Sequence, residues 1–477
     1  MIKVGIEEFM AGFPRQRKIS LWPPHSPVLL TRAKSRQYFV LALLVSVLIG
    51  AFTSKAQGKI DGIVLVIADG TSLELITAAR AYSLGAEGRL ALERFAHTAF
   101  VRTYSGSDIV TDSGAAATAM ARGIKADNRV IGMAHPGASS SPPSILDLAK
   151  AANWSTGVIT DDSVTGATPA PFLVEHPNRD QHEFIAFKIA DQVATRWDIV
   201  LGGGAKWFFD RVKDPTVIYK AGERNIVEQT QEKLADLPIA IFQNWADFQN
   251  YTENGVAARP ILGVFYADTF PYFADGTRTL RLRDMVERAV TLLQARGRPF
   301  LLVVEASLPD KAAHLNHAKR ALIEVLEFDA TIEWLRKNLS ADTLLLATTD
   351  HNNGGFSFNG PPAPLWLRGE SLLGTHPLLG TSYFTWASGP GSDRKAATTR
   401  TRIIARPGEQ MYSVEEAIKE TDVDYAQPAL LPFRSALHTG GDVWLVGEGP
   451  GSEEVRGFLD NTQIFDLIAN AIEGSEN

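Results

Sequence analysis

The stretch Leu344-Leu345-Leu346-Ala347-Thr348-Thr349-Asp350-His351 decides how this chain folds. Its unbroken apolar run is typical of a strand that is buried on both faces in a parallel sheet. The run leads into a carboxylate and an imidazole that stand side by side. Because ligand sites of open α/β sheets form at the carboxyl ends of the strands, Asp350 and His351 are candidate site residues.

Other apolar runs of the same kind occur along the chain, separated by helical patterns. The runs are Ile63 to Ala68, Val158 to Thr160, Ile199 to Leu201, Phe300 to Val304 and Val443 to Val446. The helical patterns are Met285 to Arg296, Ala318 to Asn338 and Thr462 to Glu473. Strands that alternate with helices predict an α/β fold, a three-layer sandwich with a large, mostly parallel central sheet flanked by helices. Two further runs end at acidic residues, Asp69 and Glu305.

The composition limits the functional classes that remain. The chain has 477 residues, of which 45% are hydrophobic and 21% charged, as expected of a globular protein with a large core. Its formal net charge of −7 provides no signature of nucleic-acid binding. Cysteine is absent, which excludes disulfides, thiolate metal sites and a cysteine nucleophile.

The first 56 residues are interpreted as an N-terminal extension followed by a signal peptide. Arg32, Lys34 and Arg36 precede a mostly apolar run from Tyr38 to Phe52, and small residues follow up to Ala56. The alternative is an uncleaved membrane anchor, but the run is shorter than the roughly 20 residues that a bilayer span needs. We therefore expect export to the periplasm or the medium, without a stable membrane anchor.

The rest of the chain, 57–477, is predicted to form a single catalytic domain. The candidate ligands extend from Asp69 to His438, so one shared site requires one closed domain. Two segments, near 205–283 and 360–434, are rich in Pro, Gly and aromatic residues and lack clear periodicity. We interpret both as insertions near the mouth of the site.

Ser113 lies where a helix is expected to begin, after Thr111-Asp112 and before an alanine-rich run. A helix N-terminus presents unpaired N–H groups and the positive end of the helix dipole, which suits a bound phosphate. The alternative is a purely structural role, in which Ser113 is the N-cap of the helix. Arg179 could likewise be a solvated charge, or its guanidinium could hold two phosphoryl oxygens.

Several residues offer hard-oxygen or imidazole ligands of the type that zinc and magnesium hydrolases use. Asp310 and His314 are four residues apart, so on a helix they could hold one ion, although such pairs are often surface ion pairs. Thr168 could be a metal ligand or an ordinary loop hydroxyl. His438, which is followed by a threonine and two glycines, would be unremarkable alone.

Taken together and in order, these segments resemble the alkaline phosphatase family. The resemblance covers roughly residues 60 to 475. It rests on Asp69-Gly70, Asp112-Ser113, Ala167-Thr168-Pro169-Ala170 with Arg179 further along, Gly202-Gly203-Gly204, the spacing of Glu305, Asp310 and His314, Thr349-Asp350-His351, and His438-Thr439-Gly440.

The resemblance implies a phosphate monoester hydrolase, an alkaline phosphatase that works through a phosphoserine on Ser113. It implies two Zn²⁺ ions and one Mg²⁺ ion, and small phosphate monoesters as partners, with a homodimer left open. The first zinc would be held by Asp310, His314 and His438. The second would be held by Asp69, Asp350, His351 and the Ser113 hydroxyl. Magnesium would be held by Asp69, Thr168 and Glu305. The implied phosphate-binding residues are Ser113, Arg179 and Lys311.

One departure from the family pattern affects the magnesium site. Many members carry an aspartate or a histidine where this chain has Gly166, which cannot contribute a side chain. Competing readings are a phosphodiesterase of the same superfamily, a sulfatase, or a catalytically inactive exported protein that binds metal or phosphate. The serine at 113 and the carboxylate at Glu305 favour the monoesterase.

Overall fold

Strand β1 (Gly62–Ala68) shows why this chain forms three layers, because every one of its residues is buried. Ile63, Leu65 and Ile67 pack into a hydrophobic cluster on one side of the sheet. The alternate residues Val64 and Val66 pack into a second cluster on the other side. Successive side chains of a strand point to opposite faces, so a strand that is apolar at every position needs helices on both.

The computed structural model describes residues 60–135, 141–209, 225–253, 258–360, 363–376, 382–392 and 420–475. From residue 60 onward the described residues group into one compact unit. The predicted extension and signal peptide, 1–56, lie outside the described residues. Among those that are described, none of the helices is long and apolar enough to cross a membrane.

In the described part of the chain the central sheet has ten strands, in the spatial order β15-β2-β14-β8-β1-β7-β3-β4-β6-β5. Its members are β1, β2 (His97–Arg102), β3 (Ser155–Ser163), β4 (Ile199–Gly203), β5 (Ala240–Phe242), β6 (Ile261–Val264), β7 (Phe300–Ala306), β8 (Thr343–Thr348), β14 (Val443–Glu448) and β15 (Arg456–Asp460). The seven strands from β8 to β5 in this order pair in parallel. The predicted large, mostly parallel sheet is therefore confirmed.

Helices cover both faces of this sheet. The described helices are α1 (Leu73–Leu84), α2 (Ser113–Arg122), α3 (Ile145–Ala151), α4 (Ala170–Leu173), α5 (His182–Arg196), α6 (Ala205–Phe209), α7 (Ile226–Ala235), α8 (Trp245–Gln249), α9 (Leu282–Ala295), α10 (Leu308–His314), α11 (Ala318–Asn338) and α12 (Thr462–Gly474). Residues of α2, α3, α5 and α12 line one cluster, and residues of α9 and α11 line the other. This arrangement is the predicted three-layer sandwich.

Strand β14 differs from the prediction, which grouped the run Val443 to Val446 with the parallel strands. It pairs antiparallel with β8 on one side and with β2 on the other. Just before it, the two-residue strand β13 (His438–Thr439) pairs with β9 (Asn352–Asn353), which follows β8 beyond its carboxyl end. Because the chain enters β14 from the carboxyl edge of the sheet, this strand must run in the opposite direction.

The two segments that we interpreted as insertions have defined structure where they are described. From 205–283, strands β6 and β5 extend the central sheet at one edge, so this part of the segment belongs to the sheet. In the described parts of 360–434, β11 (Phe384–Gly389) and β12 (Ala429–Pro432) join β10 (Ser357–Phe358) in a separate three-stranded sheet. The described strands of that second segment therefore lie outside the central sheet.

Candidate metal and phosphate site

Three carboxylates lie together at the carboxyl edge of the sheet, as predicted for acidic residues at the carboxyl ends of parallel strands. Glu305 lies beside Ile67 in the register of β7 and β1. Asp69 directly follows β1, and its backbone N–H donates to the carbonyl of Ala306 at 3.0 Å. Asp350 follows β8 by two residues, and its Oδ1 accepts from the N–H of Gly70 at 3.1 Å. Parallel pairing of β7, β1 and β8 thus places all three at one level.

The turn after β1 brings Asp310 into the same group. Gly70 has a φ of +64°, and a Cβ there would lie 2.4 Å from Asp310 Oδ1. Any side chain at position 70 would therefore displace that carboxylate. Asp310 is held from another direction by Asn353, whose Nδ2 donates to Asp310 Oδ1 at 2.6 Å. A glycine is needed here for close approach as well as for the positive φ.

Two imidazoles from separate parts of the chain face each other next to Asp310. His314 Nδ1 donates to the carbonyl of Ala436 at 2.7 Å, and His438 Nδ1 donates to the carbonyl of Thr111 at 3.1 Å. A neutral imidazole whose Nδ1 carries the proton presents a lone pair on Nε2. The two Nε2 atoms are 3.2 Å apart. Two nitrogens bound to one tetrahedral zinc ion would be separated by about 3.3 Å, so this spacing fits a shared ion.

Asp310 completes this first group of donors. Its Oδ2 lies 3.2 Å from His314 Nε2, and its Oδ1 lies 4.0 Å from His438 Nε2. Although burial acts in the opposite direction, the adjacent His314 and His438 hold the pKa of Asp310 well below its usual value. The two histidines respond differently. Burial lowers the pKa of His438 to about 4, whereas the Asp310 carboxylate outweighs burial and raises the pKa of His314.

A second group of donors surrounds His351. Donor atoms of Asp69, Asp310 and His351 lie within 4.8 Å of one another. His351 Nε2 is 3.1 Å from Asp350 Oδ2 and also 3.1 Å from Ser113 Oγ. In the described part of the chain, Asp69 Oδ1 and Asp350 Oδ2 are buried without a hydrogen-bond donor. Buried carboxylate oxygens without donors fit a bound cation, so this donor set suits a second metal ion.

Ser113 is the first residue of α2 and is 3% exposed. The N-cap is Asp112, whose Oδ1 accepts from the N–H of Ala115 at 2.9 Å, so the alternative reading of Ser113 as the N-cap is wrong. Since Asp112 already satisfies the helix end, the Ser113 hydroxyl is left facing His351. The buried serine therefore stands at a helix N-terminus and beside the metal-ligand candidates, where an anion is favoured.

The residues that the family resemblance implies as magnesium ligands also lie close together. Thr168 Oγ1 lies 3.4 Å from Asp69 Oδ2, and the Thr160 hydroxyl donates to Glu305 Oε2. Burial, and then the negative charge of Asp162, raise the pKa of Glu305 to about 8. Burial together with Asp350 also raises the pKa of Asp69 well above its usual value. Carboxylates crowded in this way are costly to ionise without a cation.

The two candidate phosphate-binding cations are both held by aspartates. Arg179 Nη1 donates to Asp112 Oδ2 at 2.9 Å, which ties the guanidinium to the start of α2. Lys311 Nζ lies 3.0 Å from Asp162 Oδ2. Although burial acts against both cations, these carboxylates raise the pKa of Arg179 and of Lys311 above their usual values. Both side chains therefore carry their positive charge at alkaline pH.

The structure thus brings together all of the predicted site residues and adds three that the sequence analysis missed. These are Asp112, Thr160 and Asp162. Asp112 was visible as the residue before Ser113, in a position where aspartate is a favoured helix cap. Thr160 and Asp162 lie at the carboxyl end of a predicted strand, which is the position where ligand sites form in open α/β sheets.

The site combines a serine, paired carboxylates and imidazoles at the strand ends of an α/β sandwich. This is the donor set of metal-assisted hydrolases. The profile of the family described as alkaline phosphatase matches residues 60–473. The chain therefore belongs to the alkaline phosphatase family, and this membership supports activity on phosphoric esters.

Individual relatives agree with this assignment. The chain is 30% identical to alkaline phosphatase 3 of Bacillus subtilis, over 76% of this chain and 77% of that protein. It is 26% identical to the Thermus thermophilus alkaline phosphatase, whose structure superposes with a TM-score of 0.62 over 88% of this chain and 94% of the other. A mutant of the enzyme from the Antarctic bacterium TAB5, described with Mg bound in its M3 site, shares the fold at 23% identity and a TM-score of 0.63, over 87% of this chain and 98% of that one.

Proposed function

We propose that this protein hydrolyses phosphate monoesters through a phosphoserine intermediate on Ser113, with two Zn²⁺ ions and one Mg²⁺ ion. The observation that carries the proposal is the placement of the Ser113 hydroxyl. It lies at the N-terminus of α2, 3.1 Å from His351 Nε2 and next to carboxylate oxygens that lack donors. A serine in a plain structural role would instead cap the helix, and Asp112 does that here.

The donor groups described above divide into three proposed metal sites. Asp310, His314 and His438 would hold one zinc, because the lone pairs on the two Nε2 atoms converge beside the carboxylate. The second zinc would be held by Asp69, Asp350, His351 and the Ser113 hydroxyl. Magnesium would be held by Asp69, Thr168 and Glu305, which are all oxygen donors. Bound zinc would supply Lewis acidity, which lowers the pKa of the Ser113 hydroxyl and stabilises the leaving oxygen.

In the first step, Ser113 Oγ attacks phosphorus. The bond from Oγ to phosphorus forms and the bond from phosphorus to the ester oxygen breaks. The Ser113 hydroxyl gives up its proton, and the ester oxygen takes up one as it departs as the alcohol. In the second step, water attacks the phosphoserine, which releases inorganic phosphate and restores the hydroxyl. The N-terminus of α2 and the Arg179 guanidinium face the phosphoryl oxygens, where negative charge accumulates in the transition state. Because Asp112 holds Arg179, this cation is oriented before substrate arrives.

An assay with two substrates separates the candidate functions. Hydrolysis of p-nitrophenyl phosphate is expected to exceed that of bis-p-nitrophenyl phosphate at alkaline pH, and a chelator should abolish it. A preference for the diester would favour a phosphodiesterase of the same superfamily. Metal binding without either activity would indicate an inactive metal- or phosphate-binding protein. Metal analysis of the purified protein tests the proposed ratio of two zinc ions to one magnesium ion.

The Ser113→Ala variant tests the nucleophile directly. We expect loss of phosphoenzyme and of hydrolysis, with zinc retained because the proposed aspartate and histidine ligands remain. Acid-quenched protein that was incubated with a labelled phosphate donor should carry the label on Ser113. Ser452→Ala is a matched control, since Ser452 is equally buried but donates to the carbonyl of Gly449 away from the site. Label on another residue, or near-full activity of Ser113→Ala, would refute the assignment.

We also propose that the protein is exported and that it acts on small phosphate monoesters outside the cytoplasm. The support is the sequence of the first 56 residues, with its basic flank, apolar run and small residues before the predicted cleavage near Ala56. N-terminal sequencing of protein recovered from the periplasm or the medium tests this proposal. A homodimer remains a further proposal, and light scattering of the purified protein tests it.

A further inference from the structure

Asp162 is a charged residue that the proposed chemistry does not use, although its contacts lead directly to two residues of the site. It lies near the end of β3, and its side chain is 15% exposed. Its Oδ2 is 3.0 Å from Lys311 Nζ, and its Oδ1 accepts from the Thr269 hydroxyl. Although burial acts in the opposite direction, Lys311 holds the pKa of Asp162 below its usual value. The carboxylate is therefore ionised and held in position.

A second set of contacts connects Asp162 with the carboxylates proposed to hold magnesium. The backbone N–H of Asp162 donates to Thr160 Oγ1 at 2.8 Å, and the same hydroxyl donates to Glu305 Oε2. The charge of Asp162 is also the largest contribution, after burial, to the raised pKa of Glu305. Asp162 thus lies close enough to Glu305 for the two charges to interact strongly.

The space that Asp162 occupies is available because residue 166 is a glycine. A Cβ on Gly166 would lie 3.0 Å from Asp162 Oδ2 and 2.9 Å from the carbonyl oxygen of Ser163. Gly166 is two residues before Thr168, a proposed magnesium ligand. The carboxylate of Asp162 therefore fills the position into which a side chain at 166 would project.

We propose that Asp162 is a positioning residue that supports the magnesium ion from outside its direct ligands and holds Lys311 away from the phosphate pocket. The inference rests on the proposed function, because it presumes that Asp69, Thr168 and Glu305 bind magnesium. With few protein ligands, magnesium keeps several waters. An ionised carboxylate beside Glu305 can accept hydrogen bonds from those waters, while the same carboxylate neutralises Lys311.

These two roles predict that one substitution changes two affinities in opposite directions. In Asp162→Asn the waters lose a charged acceptor, so the dissociation constant for magnesium should rise by about 10- to 100-fold, as for other residues that support metal ligands. Lys311 loses its ionic partner at the same time. Inorganic phosphate should then inhibit more strongly, by about two- to fivefold at saturating magnesium, because the ammonium is free and a repelling charge is gone.

The experiment is a calorimetric titration of MgCl₂ into the zinc-loaded full chain above pH 8, where Glu305 is ionised with and without the charge of Asp162, followed by phosphate inhibition at saturating magnesium. Asp460→Asn is the matched control, because Asp460 is also 15% exposed, lies 2.9 Å from the ammonium of Lys125 and accepts from a threonine hydroxyl. Asp460 lies at the end of β15, at one edge of the sheet, outside the proposed site. The control should leave both affinities within twofold of the unaltered chain.

Thr269→Val is a milder second variant that keeps the charge of Asp162 and removes only its hydroxyl donor. It should weaken magnesium binding in the same direction by a smaller factor, and it keeps the test decisive if Asp162→Asn does not fold. General damage to the site would weaken both magnesium and phosphate binding, which would overturn the inference. So would unchanged magnesium affinity in both variants. If the unaltered zinc-loaded chain binds no magnesium, the inference fails together with the third metal site of the proposed function.

Discussion

The imidazole group (Asp310, His314 and His438) and the carboxylate group (Asp69, Thr168 and Glu305) lie at the same edge of the sheet but are prepared differently for a metal. In the imidazole group, backbone carbonyls accept from both Nδ1 atoms, so the Nε2 lone pairs already converge. In the carboxylate group, burial raises the pKa of Glu305 to about 8 and that of Asp69 well above its usual value.

The two groups therefore differ in how much they must change when a metal ion binds. Backbone acceptors orient the histidines before any ion arrives, so little must change on binding. The acidic residues instead repel one another, and they hold protons until a metal cation displaces those protons. We therefore expect an ion in the imidazole group to be held tightly once His314, whose pKa the Asp310 carboxylate raises, has lost its proton. An ion in the carboxylate group should be held loosely and should compete with protons.

Among changes to these two groups, the removal of one imidazole has the largest expected effect. His438→Ala leaves two protein ligands for the first zinc, and two ligands hold an ion far more weakly than three. Losing an outer partner of a metal ligand costs roughly 10- to 100-fold. At trace zinc the loss of activity in His438→Ala should be larger than this, because His438 is proposed to bind the ion directly. Excess zinc should restore it only in part. His97→Ala, a change in a half-buried histidine at the start of β2, serves as the control. Full activity with unchanged zinc content would remove His438 from the site.

Arg179 belongs to neither group, so its loss should spare the metals and weaken phosphate binding. Arg179→Ala should lower kcat/KM by about 10- to 1,000-fold, raise KM and weaken inhibition by inorganic phosphate. Zinc and magnesium contents should stay as in the unaltered chain. Arg320→Ala is a comparable control, because Arg320 is also paired with an aspartate, Asp275, at 2.8 Å. Unaltered phosphate inhibition in Arg179→Ala would place this residue outside the pocket.

The response to pH should separate the two groups. Magnesium needs the ionised carboxylate, and without a metal Glu305 holds its proton up to a pKa of about 8. Magnesium affinity should therefore rise as pH rises from 6 to 8, by up to about tenfold per pH unit, and level off above that. In the imidazole group, His438 stays unprotonated throughout this range because burial lowers its pKa to about 4, whereas His314, whose pKa Asp310 raises, gives up a proton when zinc binds. Calorimetric titrations at several pH values measure the slope, and a magnesium affinity independent of pH would contradict the comparison.

Dialysis should give the smallest effect and should remove magnesium before zinc. Gly166 adds no side chain, so water must complete the magnesium shell. We expect activity to fall severalfold and to return when magnesium alone is added back. Metal analysis of the dialysed protein checks the order of loss. Full activity with zinc alone, and no response to added magnesium, would show that the carboxylate group has no role in catalysis.

Much of the fold could be predicted from the sequence, because residues buried on both faces of a parallel sheet form unbroken apolar runs. The predicted runs in β1, β3, β4, β7 and β8 all form strands of the central sheet. Strands β2, β5, β6 and β15 were not predicted. In β5, for example, Ala240, Ile241 and Phe242 are only half-buried at the sheet edge and show no distinctive pattern. The antiparallel direction of β14 was also not predicted. Strand direction depends on where the preceding segment enters the sheet, which an apolar run does not encode.

For the site, the sequence by itself determined which ligand types are present and which turns and helix ends carry them. Local chemistry was enough for this, because a strand-end carboxylate or a serine beside a helix cap can be recognised within a few residues. The tertiary structure decided which atoms meet. His438 reaches His314 because β13 pairs with β9, and Asp162 reaches Lys311 because β3 and β7 are neighbours in the sheet. Contacts between residues more than a hundred positions apart depend on strand order and register, and no local pattern specifies either.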